Sequence, residues 1–338
     1  PHIIRISCGS TQSIKSPPTY TLWHKDTGFT AGMAANATLP SDITPSLKTL
    51  RYFPESAGPN NCYNVVRVPL GHYSVRIFFG LVTQTGFEIE PIYDISIEGT
   101  LVSTVNPGWA NKDEEVFSEA LIFLNGTSSI CFHTGEGDPA VLSIEVLQVK
   151  DEAYTWDKSL ILRTVKRLDF GAKKPRFDGE VWGGNRFWSP CRSLGGKANS
   201  WIITENPIAS TSPNGYPEKI YQSAVVSTDH ELDLTFDMDV EPNRTYSLWF
   251  HFAEIDDSVA AEGERIFGIS VNGLLIYEDV DIIKLGGGKD VAIVLNSTID
   301  VAEKSLVISL HPKSGYSLIS ALEVFEVLGR EYRTSREE

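Results

Sequence analysis

Four short blocks occur twice in this chain, in the same order. RISCGS (5–10) is matched by RLDFGA (167–172), and GHYSVRIFFGLV (71–82) by RTYSLWFHFAEI (244–255). YDISIEG (93–99) is matched by FGISVNG (267–273), and AVLSIEVLQV (140–149) by SALEVFEVLG (320–329). One block could recur by chance; four in a fixed order argue for duplication. Whatever the first half folds into, the second half must fold into as well. At 338 residues the chain is long for one core and comfortable for two domains.

The repeated blocks have a period close to two. Tyr93, Ile95 and Ile97 share one face of a strand, as do Phe267, Ile269 and Val271. Asn272-Gly273 predicts a tight hairpin, because both residues tolerate positive φ. Leu322, Val324 and Val327 slip phase once, which predicts a bulge or a strand end. EEVFSEALIFL (114–124) reads as a turn that becomes a strand. Segments of this kind, punctuated by Gly, Pro, Asn and Asp, predict an all-β fold of two antiparallel sandwiches. The expected division is residues 1–155 and 165–329, with a connector at 156–164 and a polar tail at 330–338.

A formal charge of −15 opposes nucleic acid and favours cationic partners. No run of eighteen apolar residues spans a membrane, and no leader precedes PHIIRISCGS, as in a mature chain. Asn36, Asn125, Asn243 and Asn296 each open an N-x-Ser/Thr triplet, which together point to a secreted chain with glycosylation candidates. Cys8, Cys62, Cys131 and Cys191 allow three complete pairings, and none forms a CxxC knuckle. With a boundary near 155, full oxidation requires one bridge between domains; buried thiols are the alternative.

The stretch HFAEIDDSVAAEGERIFGISVNG (251–273) concentrates Glu254, Asp256, Asp257, Glu262 and Glu264. Glycoside cleavage needs two carboxylates facing one bond in different proton states, and density alone does not supply that. A solvated strand-connecting loop has the same composition. The spacing is not that of an EF-hand. The seven histidines make no HExxH or close zinc pair, and neither GxSxG nor a phosphate loop occurs. Gly286-Gly287-Gly288-Lys289 reads as a flexible loop, and Asp229 to Asp233 as a polar strand face. No catalytic residue, metal site or cofactor is therefore expected. Aromatics fit recognition better. Tyr20, Trp23 and Phe29 surround an early loop, and FDGEVWGGNRFWSP (177–190) sets Phe177, Trp182, Phe187 and Trp188 among Gly, Asp and Asn, with Arg186 beside them. Such rings dock sugars or peptide side chains, or seal a sandwich edge. Trp182, Phe187 and Trp188 are the expected anchors of a ligand site.

These blocks, with RYFPES (51–56), NCYNVVRVPLGHYSVRIFF (61–79), YPEKIYQSA (216–224), YSLWFHFAEI (246–255) and RIFGISVNG (265–273), resemble the malectin-like ectodomains of plant receptor kinases and receptor-like proteins. The resemblance covers nearly the whole chain. It implies tandem malectin-like β-sandwich domains packed side by side, and an extracellular place in a membrane-anchored parent that often adds leucine-rich repeats and sometimes a kinase. It implies a secreted peptide, a cell-wall glycan or a partner ectodomain as the ligand. Animal malectin binds a glucose disaccharide through an aromatic pair, where this chain has Asp256 and Asp257, and an aspartate, where it has Gly315. Tyr221 keeps an aromatic near another pocket edge. Tyr221, Asp256 and Asp257 are then expected as rim contacts. A noncatalytic recognition module leads; a carbohydrate module with altered preference and a purely structural interaction domain are the alternatives.

Overall fold

The computed structural model describes residues 2–17, 19–82, 90–154, 157–179, 184–191, 199–210 and 217–330. The chain divides into two units, one of Pro1–Asp151, Thr155–Arg163 and Leu328–Glu338, the other of Glu152–Tyr154 and Thr164–Val327. The expected connector is strand from Leu160 onward, within Leu160–Asp169. Its Leu162 and Arg163 pair with Leu121 and Ala120 in the first unit. Its Leu168 and Asp169 run parallel to Ser189 and Pro190 in the second.

In the first unit two 20-residue strands, Asn60–Phe79 and Phe117–Glu136, pair antiparallel. The second of them follows a turn through Glu114 and Glu115, as its sequence predicts. The register shifts around the pairing of Val68 with Gly126. Arg67 (φ 61°) and Gly126 (φ 90°) take left-handed backbone there, a conformation that one type of bulge uses. Beyond the shift the pair is flanked by Ala140–Val149 and, outside it, Ile3–Ser7. Before it the flanking strands are Ile92–Ile97 and Thr100–Val105. One strand pair thus builds both layers. Their inward alternates, including Tyr63, Tyr73, Val75, Ile77, Ile95 and Phe132, form one core.

The second unit repeats this plan with the long strands cut. Leu234–Asp239 and Arg244–Phe252 replace one, Ser305–Ser314 and Val291–Val301 the other. Asn243, at φ 57°, makes the first break. Ala321–Gly329 flanks one layer and Ile266–Val271 the other. The latter closes a hairpin with Leu274–Val280 through Asn272 (φ 47°) and Gly273 (φ 80°), as the sequence predicts. The core contains Tyr246, Leu248, Phe250, Phe252, Phe267, Ile269 and Ile308.

The duplication extends to single bonds. Tyr73 donates to the Pro69 carbonyl at 2.7 Å, and Tyr246 to the Glu241 carbonyl at 2.7 Å. Arg5 pairs with Glu145 at 3.1 Å, and Arg167 with Glu323 at 2.8 Å. Tyr73 faces Gln148 and Tyr246 faces Glu326, so Glu145 is the counterpart of Glu323. The last repeated block is therefore offset by two residues from its end-to-end sequence match. A slide of two preserves which side chains face the core. Removing either tyrosine hydroxyl leaves a carbonyl without its donor. Tyr246→Phe is expected to cost about 1 kcal/mol in urea unfolding; no loss would mean that the bond is not stabilising.

Three local expectations change. Ala321–Gly329 pairs without a register shift, and its phase slips because residues 321–326 are buried on both faces. Asp229 to Asp233 is a turn, not a strand face. Ile282–Gly286 is a short helix, capped by the Asp281 carboxylate on the Lys284 amide and ended by left-handed Gly287.

Candidate recognition site

The acidic loop begins where the strand Arg244–Phe252 ends. Glu254 is buried, and its carboxylate accepts Arg265 Nε at 2.7 Å. Arg265 Nη2 also reaches Asp256 Oδ2 at 3.0 Å, and Nη1 donates to the Tyr316 carbonyl at 2.7 Å. The other Asp256 oxygen accepts the Ser258 amide at 2.9 Å and hydroxyl at 2.7 Å. Burial pushes the Glu254 carboxyl above its ordinary range, with Arg265 opposing. For Asp256, burial is outweighed by Ser258 and Arg265, which hold it below that range. Lys289 donates to the Asp256 carbonyl at 2.9 Å and lies 3.5 Å from Asp257. Asp257 stands fully in solvent, and Glu262 and Glu264 are exposed as well. Glu254 and Asp256 are thus tied into an ordered rim, with Glu254 buried against Arg265 rather than presented to a substrate as one of a carboxylate pair.

The aromatic expectations resolve differently. Trp182 lies outside the described residues. Phe187, Trp188 and Tyr221 are buried, and Trp188 and Tyr221 belong to the second core. They are not surface anchors, because each has found an internal partner. Trp188 Nε1 donates to Asp178 at 3.1 Å, and the same carboxylate accepts Arg186 Nε at 2.6 Å. Phe187 packs on Phe177. Tyr221 meets His251 Nδ1 at 2.9 Å, and His251 Nε2 meets Glu323 at 2.9 Å. Glu323 also accepts Arg167 and the Tyr154 hydroxyl. The polar groups among these rings therefore form one buried, bonded network.

This network makes stability depend on pH. Burial holds His251 below its ordinary value of 6.5, with Glu323 opposing. Burial alone would raise Glu323, but His251 and Arg167 bring it from 4.5 down to about 2. The unfolded chain therefore binds a proton at His251 as pH falls through about 6.5, while the folded chain resists it. Glu323 adds a second loss of stability between 4.5 and about 2. Urea midpoints are expected to fall from pH 7.5 to pH 5, with a shallower fall in His251→Gln. A midpoint that rises on acidification would contradict this.

Each unit also carries a serine–histidine relay on an outward strand face. Ser270 Oγ lies 2.6 Å from His311 Nε2, and His311 Nδ1 lies 2.7 Å from Asp233. The counterpart is Ser96, His133 and Asn60, at 2.8 and 2.7 Å. Ser270–His311–Asp233 has the bond order of a hydrolytic triad. Yet Ser270 lies mid-strand with partners on both edges. The amides that would stabilise an oxyanion are engaged in those ladders. Among the described residues no group of three or more His, Cys, Asp or Glu is placed to hold a metal ion.

Asn36, Asn125, Asn243 and Asn296 are all exposed. Cys62 and Cys131 form a disulfide between facing strand positions. Cys8, buried, and Cys191 take no part in a disulfide, so the bridge that joins cysteines lies within the first unit. No described helix is long and apolar enough to cross a membrane. The site thus brings Asp256 and Asp257 together and leaves Phe187, Trp188 and Tyr221 beneath the surface. Arg265 and Lys289, which order the rim, escape sequence reading because Arg265 follows the acids across an irregular loop and Lys289 follows them across two strands and a short helix. Glu323 was visible in principle: the paired Arg5 and Arg167 of the repeats each call for an acid partner.

The profile of a family described as "Malectin-like domain" matches residues 6–327. The chain is 57% identical over 351 residues to Receptor-like protein 4 of Arabidopsis thaliana, covering 100% of this chain and 56% of that protein. It thus spans little more than half of that relative's length. The crystal structure of the plant receptor-like kinase FER superposes with a TM-score of 0.81 at 19% identity, covering 97% of this chain and 96% of that one. A crystal structure of the plant peptide RALF23 in complex with FER and LLG2 gives a TM-score of 0.79 at 18% identity, covering 97% and 95%.

Proposed function

This chain belongs to the malectin-like domain family, and on that footing we propose that it is a noncatalytic extracellular recognition module of a plant cell-surface receptor or receptor-like protein. Its ligand is a secreted peptide or a partner ectodomain. The observation that carries the reading is the state of the acidic loop. Arg265 locks Glu254 and Asp256 in place, while Asp257, Glu262 and Glu264 are exposed to solvent. An ordered scaffold that displays acidic charge suits capture of a basic partner, whereas hydrolysis needs two carboxylates facing one bond in different proton states. The peptide complex of a protein with this fold is consistent with it. So is the charge of −15, which favours a basic partner.

Asp257 and the solvent edge of Asp256 are the rim contacts in this reading. The test is surface binding of secreted basic peptides to the intact chain and to Asp257→Lys. Charge reversal is expected to slow association about tenfold or more at low salt. Identical association rates would count against this rim.

Exposure of all four sequon asparagines supports glycan attachment during secretion. Chain expressed through a plant secretory pathway is expected to lose mass on enzymatic deglycosylation, at peptides containing Asn36, Asn125, Asn243 and Asn296. Unmodified asparagine at all four would argue against an extracellular route.

A further inference from the structure

The Cys62–Cys131 bridge is partly exposed. Both cysteines are half-buried and line an open groove of about 880 Å³ on the outward face of the Ile92–Ile97 layer. Ser96, Ser129 and His133 line it beside them.

The bridge joins the two 20-residue strands at a rung where the backbone ladder does not. The Cys62 amide donates to the Thr30 hydroxyl at 3.0 Å, and the Cys62 carbonyl accepts the Thr30 amide at 2.9 Å. Both groups therefore point away from the strand of Cys131, which makes this a non-hydrogen-bonded pair. The rungs on either side carry the backbone bonds. In the second unit the same rung closes without sulfur: Thr235 and Ser309 face each other there through a 3.2 Å hydrogen bond. Opening the bridge thus removes a tie and leaves the strands paired.

We propose that this bridge is a thiol–disulfide exchange site for a dithiol reductant, reached through the groove while the chain stays folded. A thiolate of the reductant attacks Cys62 Sγ. The bond between Cys62 and Cys131 breaks, and Cys131 leaves with the electron pair as a thiolate. Ser129 Oγ, 3.4 Å from Cys131 Sγ, is placed to donate to that thiolate, which gives the exchange its direction. The second thiolate of the reductant then attacks the reductant's own sulfur in the mixed disulfide and releases Cys62. The bridge gains two electrons and two protons, and the dithiol becomes a disulfide. A monothiol does not complete the sequence. Strand pairing keeps Cys131 opposite Cys62, with their Cα atoms 4.0 Å apart, so the freed thiolate attacks back before a second molecule arrives. A dithiol resolves the intermediate from within. Cys8 is fully buried in the first core, so it reacts only when that core opens and marks unfolding. No residue of this exchange belongs to the acidic rim, so its test is independent of the proposed peptide capture.

The experiment treats the intact chain, without denaturant, with dithiothreitol, reduced thioredoxin or glutathione at equal thiol concentration. Alkylation and peptide mapping by mass spectrometry then locate the new thiols. Both dithiols should open Cys62 and Cys131 to alkylation while Cys8 stays unmodified. Glutathione should act at least about tenfold more slowly. Ser129→Ala should slow the dithiols about fivefold, since it removes a hydrogen bond to the leaving thiolate. Thioredoxin lacking its resolving cysteine should be trapped on Cys62. Reduction that occurs only in urea, or alkylation of Cys8 in step with the bridge, would overturn the proposal. So would glutathione matching the dithiols, an unchanged rate in Ser129→Ala, or trapping on Cys131.

Discussion

Glu323→Ala is expected to cost the second unit roughly 3–5 kcal/mol of unfolding free energy, because it leaves buried positive charge without its partner. Glu323 is fully buried and is the acceptor shared by Arg167, His251 and Tyr154. Arg186 bonds the Tyr154 hydroxyl at 3.3 Å, so the disturbance would reach Asp178 and Trp188 as well. A companion variant separates charge from packing. Arg167→Met combined with Glu323→Leu removes both ends of the pair and should recover most of the loss, since apolar replacements of similar volume are often neutral. Urea unfolding monitored by tryptophan fluorescence measures both. A loss under about 1 kcal/mol for Glu323→Ala would mean that the network is solvated in a way its burial does not suggest.

Replacing Cys62 and Cys131 together by serine is expected to cost the first unit about 4 kcal/mol in the loop-entropy picture, because the bridge joins residues 69 apart. The second unit supplies the control. At the matching positions, two residues from Asp233 and from His311, it has Thr235 and Ser309, joined by a 3.2 Å hydrogen bond. That unit holds the same strands together without a covalent tie. Hydrogen exchange should therefore accelerate in Asn60–Phe79 and Phe117–Glu136 while the strands Leu234–Asp239 and Ser305–Ser314 keep their protection. Equal acceleration in both units would contradict this assignment of the bridge's effect.

The fold was legible because its signals are local and repeated. Period-two blocks, the Asn272-Gly273 turn and the order of the repeats specify strands and hairpins without knowledge of distant partners. The same signals misplaced details that depend on what covers the second face. Phe325 and Glu323 alternate with Leu322 and Val324 on a strand buried on both sides, so the apparent slip in phase was burial. The aromatic loop misled for a related reason. Glycine and aspartate beside tryptophan suit an exposed recognition loop, but here Asp178 is the acceptor that lets Trp188 and Arg186 be buried. The basic partner of Asp256 was no more visible, since Arg265 reaches it through three-dimensional folding of the loop. Disulfide connectivity needed strand register: Cys62 and Cys131 are neighbours only because Asn60–Phe79 and Phe117–Glu136 pair as they do.

The most direct measurement is chemical crosslinking of the intact receptor at a plant cell surface, followed by mass spectrometry and paired with a turnover assay on the purified chain. Capture predicts a secreted peptide or ectodomain joined near Asp257 and Lys289, with no residue-dependent turnover of glycoside or ester substrates. Robust hydrolysis that disappears in Glu254→Gln or Ser270→Ala would contradict it.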